Sequence, residues 1–300
     1  MLETRVVTES RMRMGEAPVW DADQERLYWI DVFDAAVHRC ALDGGDLRSS
    51  RFPGETISSL ALRKGGGAVV TSGDGVYLFD LESGAAETVF EAGLGPGFGF
   101  NDGTVDRQGR FVTGMADGAL IQALLDGKKD LPSPSGKLYR VDADLSVHVI
   151  GDPIGVTNGP CFDADGTTFY CNDSGLRRVH AWDYDASTGQ ATNRRVVTEF
   201  TDDGAIPDGT TVDEQGYLWV AAYQGGEIRR YAPDGTLDRR VAVPVVSPTS
   251  VAFAGPDLDV LVVTSRGNEN TQADGRILAL SGLGVRGVPE NKFGQDHVSR

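Results

Sequence analysis

Six times along this 300-residue chain, a polar residue is followed by four mostly small or apolar residues, then usually an Asp, a tight turn and a second apolar run. The copies are Glu16-Ala-Pro-Val-Trp-Asp21, Ser58-Ser-Leu-Ala-Leu-Arg63, Asn101-Asp-Gly-Thr-Val-Asp106, Asn158-Gly-Pro-Cys-Phe-Asp163, Asp208-Gly-Thr-Thr-Val-Asp213 and Thr249-Ser-Val-Ala-Phe-Ala254. Their last members are 42, 43, 57, 50 and 41 residues apart. Asp106-Arg-Gln-Gly109, Asp163-Ala-Asp-Gly166 and Asp213-Glu-Gln-Gly216 read as turns, in which Asp opens the turn and Gly supplies the positive φ. The second runs, such as Leu27-Tyr-Trp-Ile30, Tyr217-Leu-Trp-Val220 and Val260-Leu-Val-Val263, are rich in β-branched and aromatic residues, as strands require. Third strands follow, for example at Gly75-Val-Tyr-Leu-Phe79, Arg178-Val-His-Ala-Trp182 and Glu227-Ile-Arg-Arg-Tyr231.

A four-stranded antiparallel unit at this period marks propeller blades, because solenoid repeats are shorter or helical. The chain therefore reads as all-β, one six-bladed β-propeller domain over residues 1–300; a β-sandwich or two separate β domains is the alternative. Residues 4–8 carry Arg5-Val-Val-Thr8, strand-like and ahead of the first full unit. They are expected to complete the last blade beside residues 276–280 and so close the ring. The best helical stretch, Ala119 to Leu125, falls in the 57-residue interval as an insertion. The segment 117–135 reads as either a lid over the channel or a plain surface loop. Gly93-Leu-Gly-Pro-Gly-Phe-Gly99 reads as a connection, since no helix follows it whose N-terminus would hold a phosphate.

Composition alters this picture little: with 40% hydrophobic and 24% charged residues there is ample material for a core. The 44 acidic against 28 basic residues give a net charge of −16, which argues against nucleic acid and anionic membranes as partners. Otherwise the charge is chiefly a solvated shell. Cys40, Cys161 and Cys171 make an odd set without a Cys-x-x-Cys pair, so reduced, mostly buried thiols are expected. The sequence shows neither a leader-like apolar run at its start nor a membrane-length apolar stretch, and the expectation is a soluble, cytoplasmic protein.

The chemistry lies in the first member of each copy. The first strand of a blade is the innermost, so Glu16, Ser58, Asn101, Asn158, Asp208 and Thr249 are expected to converge on one mouth of the channel. All six offer oxygen, two are carboxylates, and none is a histidine. Two carboxylates in a confined channel repel unless a cation sits between them. An all-oxygen set suits Ca²⁺ or Mg²⁺, and accepts Zn²⁺ or Mn²⁺ with water completing the shell. The competing reading is that Asn101-Asp-Gly103, Asn158-Gly159 and Asp208-Gly209 are ordinary turn signals. Glu16, no turn former, stands in the same phase and favours a site.

The same residues carry a family likeness. Gly15-Glu-Ala-Pro-Val-Trp20, Leu27-Tyr-Trp-Ile-Asp31, Phe100-Asn-Asp-Gly103, Asn158-Gly-Pro160, Asp183-Tyr-Asp185, Thr188-Gly-Gln190, Pro207-Asp-Gly209, Gly216-Tyr-Leu-Trp219, Gly255-Pro-Asp-Leu258 and Gly282-Leu-Gly-Val-Arg-Gly287 appear in order. Along nearly its whole length the chain resembles the gluconolactonase and regucalcin (senescence marker protein) family of six-bladed propellers. The resemblance implies one divalent metal ion on Glu16, Asn158 and Asp208, with Asn101 contacting substrate or a metal-bound water. It also implies metal-dependent hydrolysis of a sugar (aldono)lactone, a small-molecule partner, to the sugar acid.

Two departures stand out. Family members acting on sugar lactones often carry Arg two positions before the Asn, where this chain has Gly99, and a family glutamate after the third-blade hairpin has no clear counterpart in Gly114-Met-Ala-Asp-Gly-Ala119. Asp117 is the candidate substitute. In the lactonase reading the metal polarises the carbonyl and Asp208 is the candidate general base, with ligation alone as its other role. Asp31 and Asp173, at ends of second strands, are outer-shell candidates or solvated strand ends. The rival functions are ester or organophosphate hydrolysis at the same metal, and a non-catalytic calcium-binding propeller.

Overall fold

The computed structural model describes residues 2–95, 97–126, 133–201, 204–267 and 271–295. These residues form six antiparallel four-stranded sheets. The first strand of each, Gly15–Asp21, Ser59–Leu62, Phe98–Val105, Thr157–Phe162, Ile206–Val212 and Pro248–Ala254, touches the first strand of the blades on either side, and the cycle returns to its start. Six blades surround one axis, as the repeat predicts. Among the described residues the one α-helix is Gly118–Leu125, on the predicted insertion, and no helix is long and apolar enough to cross a membrane. Residues 127–132 of the insertion lie outside the described residues.

Side-chain parity explains why the second runs are continuously apolar rather than alternating. Successive residues of a strand point to opposite faces. In the fifth blade, Trp219 and Ala221 of Leu218–Tyr223 pack into the gap with the sixth, while Leu218, Val220 and Ala222 pack into the gap with the fourth. In the first blade, Leu27 and Trp29 face the sixth and Tyr28 and Ile30 face the second. The described apolar core therefore divides into six clusters, one in each gap between neighbours. Each fully buried large side chain contributes about 1.5–3 kcal/mol. Cys40, Cys161 and Cys171 are buried, free thiols within three of these clusters.

Two segments lock the ring. Glu3–Val6 is the outer strand of the sixth blade, with Thr4 opposite Leu280, so the chain's two ends share one sheet. Such closure ties the chain ahead of the first blade into the sheet of the last, so the two cannot part without breaking that ladder. After the last strand, Leu278–Ser281, the chain crosses the face opposite the predicted ring of polar residues. There Gly287 N–H donates to Leu258 O (2.8 Å), Glu214 N–H to Arg286 O (2.8 Å) and Phe293 N–H to Leu62 O (2.8 Å). Asn291 donates to Val105 O at 3.2 Å, and Lys292 pairs with Asp21 at 2.8 Å. This strap ties five blades together and covers that end of the channel.

The turn aspartates do more than open turns. Asp106 Oδ1 accepts the Gln108 and Arg110 N–H groups at 2.9 and 2.8 Å, and Oδ2 takes Arg110 Nε (2.5 Å) and the hydroxyl of Tyr184 (2.8 Å) from the next blade. Asp213 repeats the device with the Gln215 and Tyr217 N–H groups (2.9 and 3.0 Å), Trp219 Nε1 (2.9 Å) and Arg230 Nε (2.8 Å). The Arg230 guanidinium lies 3.7 Å from the centre of the Tyr217 ring. Removing one partner of such a buried pair leaves an uncompensated charge. Asp213→Ala should therefore cost about 3–5 kcal/mol in urea unfolding. Asp234→Ala, at an exposed turn where the carboxylate accepts the Thr236 N–H, should cost far less. Equal losses at the two sites would contradict this assignment.

Candidate functional site

In five inner strands the register against the second strand slips at the predicted ring position. The slips lie between Glu16 and Val19, Phe100 and Gly103, Asn158 and Cys161, Pro207 and Thr210, and Pro248 and Val251. A bulge bends its strand and re-aims side chains. Two of these bulges need left-handed backbone, at Ala17 (φ +46°) and Gly159 (φ +51°). For alanine this costs of order 1 kcal/mol or more, which the surrounding ring must hold in place. Gly209 is required for a different reason, since a Cβ there would lie 2.0 Å from Ser250 Oγ of the next blade.

Five of the six ring residues line one cleft of about 460 Å³ at the channel mouth: Glu16, Ser58, Asn101, Asn158 and Asp208. Thr249 does not, which corrects the sequence expectation. It is fully buried, with its hydroxyl 2.5 Å from Gly15 O and 2.8 Å from Thr264 Oγ1, tying the sixth blade to the first. Comparable ties hold other ring residues by their backbone. Thr71 of the second blade donates to Asn101 O at 3.2 Å, and Asn172 of the fourth donates to Asp208 O.

The amides are oriented by a relay across three blades. Ser174 Oγ donates to Pro207 O at 2.6 Å, which commits its proton, so it accepts from Asn158 Nδ2 at 2.9 Å. The Asn158 oxygen therefore faces the other way, where Asn101 Nδ2 donates to it at 2.7 Å and also to Thr157 O at 2.7 Å. Asn158 presents an oxygen, and the side-chain oxygen of Asn101 has no donor among the described residues.

A third carboxylate, Asp102, joins Glu16 and Asp208 on the axis, and the sequence reading passed over it. The signal was present: Asp102 is the second member of its copy, where the other copies have Ala17, Ser59, Gly159, Gly209 and Ser250. Its oxygens accept the Gly103 and Gly159 N–H groups at 2.7 and 2.8 Å. Burial nevertheless pushes it up to about 6. Glu16 is raised well above the ordinary carboxylate range by burial, then by the charges of Asp208 and Asp102. Asp208 is raised likewise by burial and by Asp102, against a lowering by the Gly209 N–H. Although Glu16 has surface open to the cleft, its carboxyl lies deep enough for desolvation to dominate. Among the described residues no three Asp, Glu, His or Cys side chains cluster as a ready metal cage. The donor set that fits a hard cation is mixed instead: two crowded carboxylates and the amide oxygen of Asn158.

The remaining candidates are placed elsewhere. Asp117, the candidate substitute for the family glutamate, is 5% exposed and caps the helix, accepting the Ala119 and Leu120 N–H groups at 2.9 and 3.2 Å. Asp31 and Asp173 are buried rather than solvated. Asp31 accepts the Arg13 N–H (2.8 Å), Asp173 the Gly155 N–H (2.8 Å), and both hold the loops beneath the mouth. The helix Gly118–Leu125 is seated by Leu120 close against Gly155 and Gly175, and its Ile121 reaches the cleft. Arg266 and Tyr223, also in the wall, were not anticipated; they pair at 2.6 Å.

The model of the SMP-30/Gluconolactonase/LRE-like region matches residues 14–267. Regucalcin of Gallus gallus is 33% identical over 297 residues, covering 96% of this chain and 97% of that protein. Pentonolactonase XacC of Haloferax volcanii is 34% identical, covering 92% and 89%. Among solved structures, a calcium-binding protein, regucalcin, from Agrobacterium tumefaciens superimposes with a TM-score of 0.86 at 27% identity, covering 98% of both chains.

The crowded carboxylates give a linkage prediction. A carboxyl raised by the fold holds its proton more tightly than in the unfolded chain, so its stabilising contribution is present at low pH and lost as pH rises through the folded value. For Asp102, at about 6 against ~3.9 unfolded, the loss between pH 5 and 7 is roughly 1 kcal/mol. Glu16 and Asp208 act in the same direction. A cation removes the repulsion, so the stabilisation conferred by millimolar Ca²⁺ over a chelator should grow from pH 5 to pH 7. His38 and His180, which burial depresses, oppose the slope equally with and without Ca²⁺ and cancel in the difference. Thermal melts in both series test this; a difference that is flat or shrinks with pH contradicts it.

Proposed function

The chain belongs to the SMP-30/gluconolactonase/LRE-like family, and from that premise we propose that it is a metal-dependent lactonase, opening a sugar lactone to its acid. The observation that carries this reading is the convergence of Glu16, Asn158 and Asp208, with Asn101 beside them, on one cleft whose carboxylates repel each other. A relative named pentonolactonase supports the reaction class, and a neighbour named a calcium-binding protein supports the cation.

Glu16, Asn158 and Asp208 are the residues that would hold the ion, with Ca²⁺, Mg²⁺, Zn²⁺ and Mn²⁺ all compatible with oxygen ligation. A divalent cation there supplies Lewis-acid polarisation of the lactone carbonyl and stabilises the negative charge that develops on it. Asp208 accepts the proton of the attacking water as the new C–O bond forms. The ring C–O bond then breaks, and the proton passes to the departing ring oxygen, leaving a hydroxy acid. Asn101 offers its free oxygen to a substrate hydroxyl, and Ser174, by taking the Asn158 amide N–H, leaves the Asn158 oxygen on the Asn101 side, where it would be available to the cation. Glu16, Asn158 and Asp208 each lie near the start of an inner strand, Gly15–Asp21, Thr157–Phe162 and Ile206–Val212, whose backbone brings them to the cleft.

Asp208→Ala should abolish lactone hydrolysis at saturating metal, whereas Ser58→Ala, in the same phase of another blade, should retain most of it. A pH-stat assay over aldonolactones with each cation decides. Wild-type turnover by the Asp208 variant removes the base assignment; inactivity of the unaltered protein with every cation favours the calcium-binding or ester-hydrolase alternatives. Ser174→Ala should weaken Ca²⁺ binding about fivefold, the worth of one orienting hydrogen bond. Titration calorimetry showing unchanged affinity would remove Ser174 from this role.

A further inference from the structure

The floor of the cleft is polar, but its wall is mostly apolar. Above Glu16, Asn158 and Asp208 stand Met14, Val32, Phe33, Ile121, Val156 and Ile206, from the first, fourth and fifth blades and the helix of the third. Phe33 leaves 43% of its surface open at the rim. Gly99, two residues before Asn101, adds no side chain and could hold a Cβ only 3.2 Å from Gly73 O.

Counting the free hydrogen-bonding groups limits what such a cleft can take. Both amide protons of Asn101 are used, leaving one acceptor. The Asn158 oxygen receives Asn101, and the Ser174 proton is committed to Pro207 O. Ser58 Oγ lies 2.8 Å from Thr71 Oγ1. The other polar feature of the wall is the Arg266–Tyr223 pair, and among the described residues Arg266 has no carboxylate partner. At the floor, Asn101, Asp102 and Ser58, whose hydroxyl keeps its lone pairs when it donates to Thr71, can receive substrate hydroxyls, whereas on the wall the Arg266–Tyr223 pair alone, among the described residues, can. The floor therefore serves the ring hydroxyls, and most of the wall offers a tail hydroxyl no partner. With the carbonyl of an aldonolactone at the floor, its tail must extend outward along the wall, because the inner strands and the strap close the channel below.

Resting on the lactonase reading, we propose that the substrate is a deoxyaldonolactone, a lactone with hydroxyls on the ring and a deoxygenated tail that packs against Phe33, Ile121, Val156 and Ile206. A tail hydroxyl against Phe33, Ile121 or Val156 gives up its water without a protein partner, whereas a methyl group gains apolar contact. An apolar wall rejects an added hydroxyl only moderately, by about ten- to a hundredfold.

Two substrate pairs isolate the tail hydroxyl: L-fuconolactone against L-galactonolactone, and L-rhamnonolactone against L-mannonolactone. With Ca²⁺-loaded full-length protein, kcat/KM should favour the deoxy member about tenfold or more in at least one pair, and Ile206→Asn should reduce that ratio. Equal or better turnover of the hydroxylated member in both pairs overturns the proposal and leaves the lactonase reading intact. If no lactone is hydrolysed, the lactonase reading falls by itself. Calorimetry of the corresponding aldonates with Ca²⁺ then decides the ligand class. Tighter deoxyaldonate binding upholds the apolar wall as the selector, and equal or weaker binding overturns it.

Discussion

Repulsion among Glu16, Asp208 and Asp102 is the constraint to which the centre of this molecule answers. Burial alone disfavours each charge, and each makes its neighbours harder to ionise. The compensation within the protein comes from backbone N–H groups of Ala17, Gly103, Gly159 and Gly209, dipoles too weak to balance whole charges. Such an arrangement persists only if something else holds the inner strands together. The holding is done at a distance, by apolar clusters in the six gaps between blades, where the residues are the ordinary material of a core. Stability is gathered in the gaps and spent at the axis.

The bulges connect those two regions. A regular inner strand would alternate its side chains between the two gaps and leave none aimed along the channel. The register slips after Glu16 and Asn158 and around Asp208 release one side chain from that alternation. The left-handed backbone at Ala17 lies beside a proposed ligand, and it is tolerated because the flanking residues are fixed by ladders and by contacts with both neighbouring blades. Ser58 shows the contrast. Its inner strand, Ser59–Leu62, pairs with Ala68–Ser72 without a slip, and its hydroxyl turns to Thr71.

The fold was legible because propeller blades repeat the same local physics at a nearly constant interval, and the closing role of Thr4–Thr8 followed from having one strand too many at the start and one too few at the end. Five ring residues were legible for the same reason. Thr249 was not, because sequence phase gives a residue's place along the strand but not the pairing of a small hydroxyl that reaches backbone instead of the channel. Asp102 was hidden by its position beside Asn101, where alternation would have sent it away from the axis; only the bulge brings both there. Arg266 and Tyr223 come from ends of second strands in different blades, and no periodicity links them. Asp31 and Asp173 read as solvated strand ends because sequence shows the strand's end but not the loop that folds over it.

The strap has a consequence for how the protein is made. Synthesis proceeds from the N-terminus and domains generally form as units behind the ribosome, but here Glu3–Val6, made before all six inner strands, finds its partner only when Leu278–Ser281 has emerged. Five blades can stack in order during translation, yet the ring stays open, and the far end of the channel stays uncovered, until the residues around Phe293 cross to Leu62. The carboxylates of Glu16, Asp102 and Asp208 are thus set around one axis only when the ring closes. A nascent chain stalled before Leu278 would leave Glu3–Val6 and the outer edge of Val260–Ser265 unpaired, so closure of the ring waits on the one short strand Leu278–Ser281.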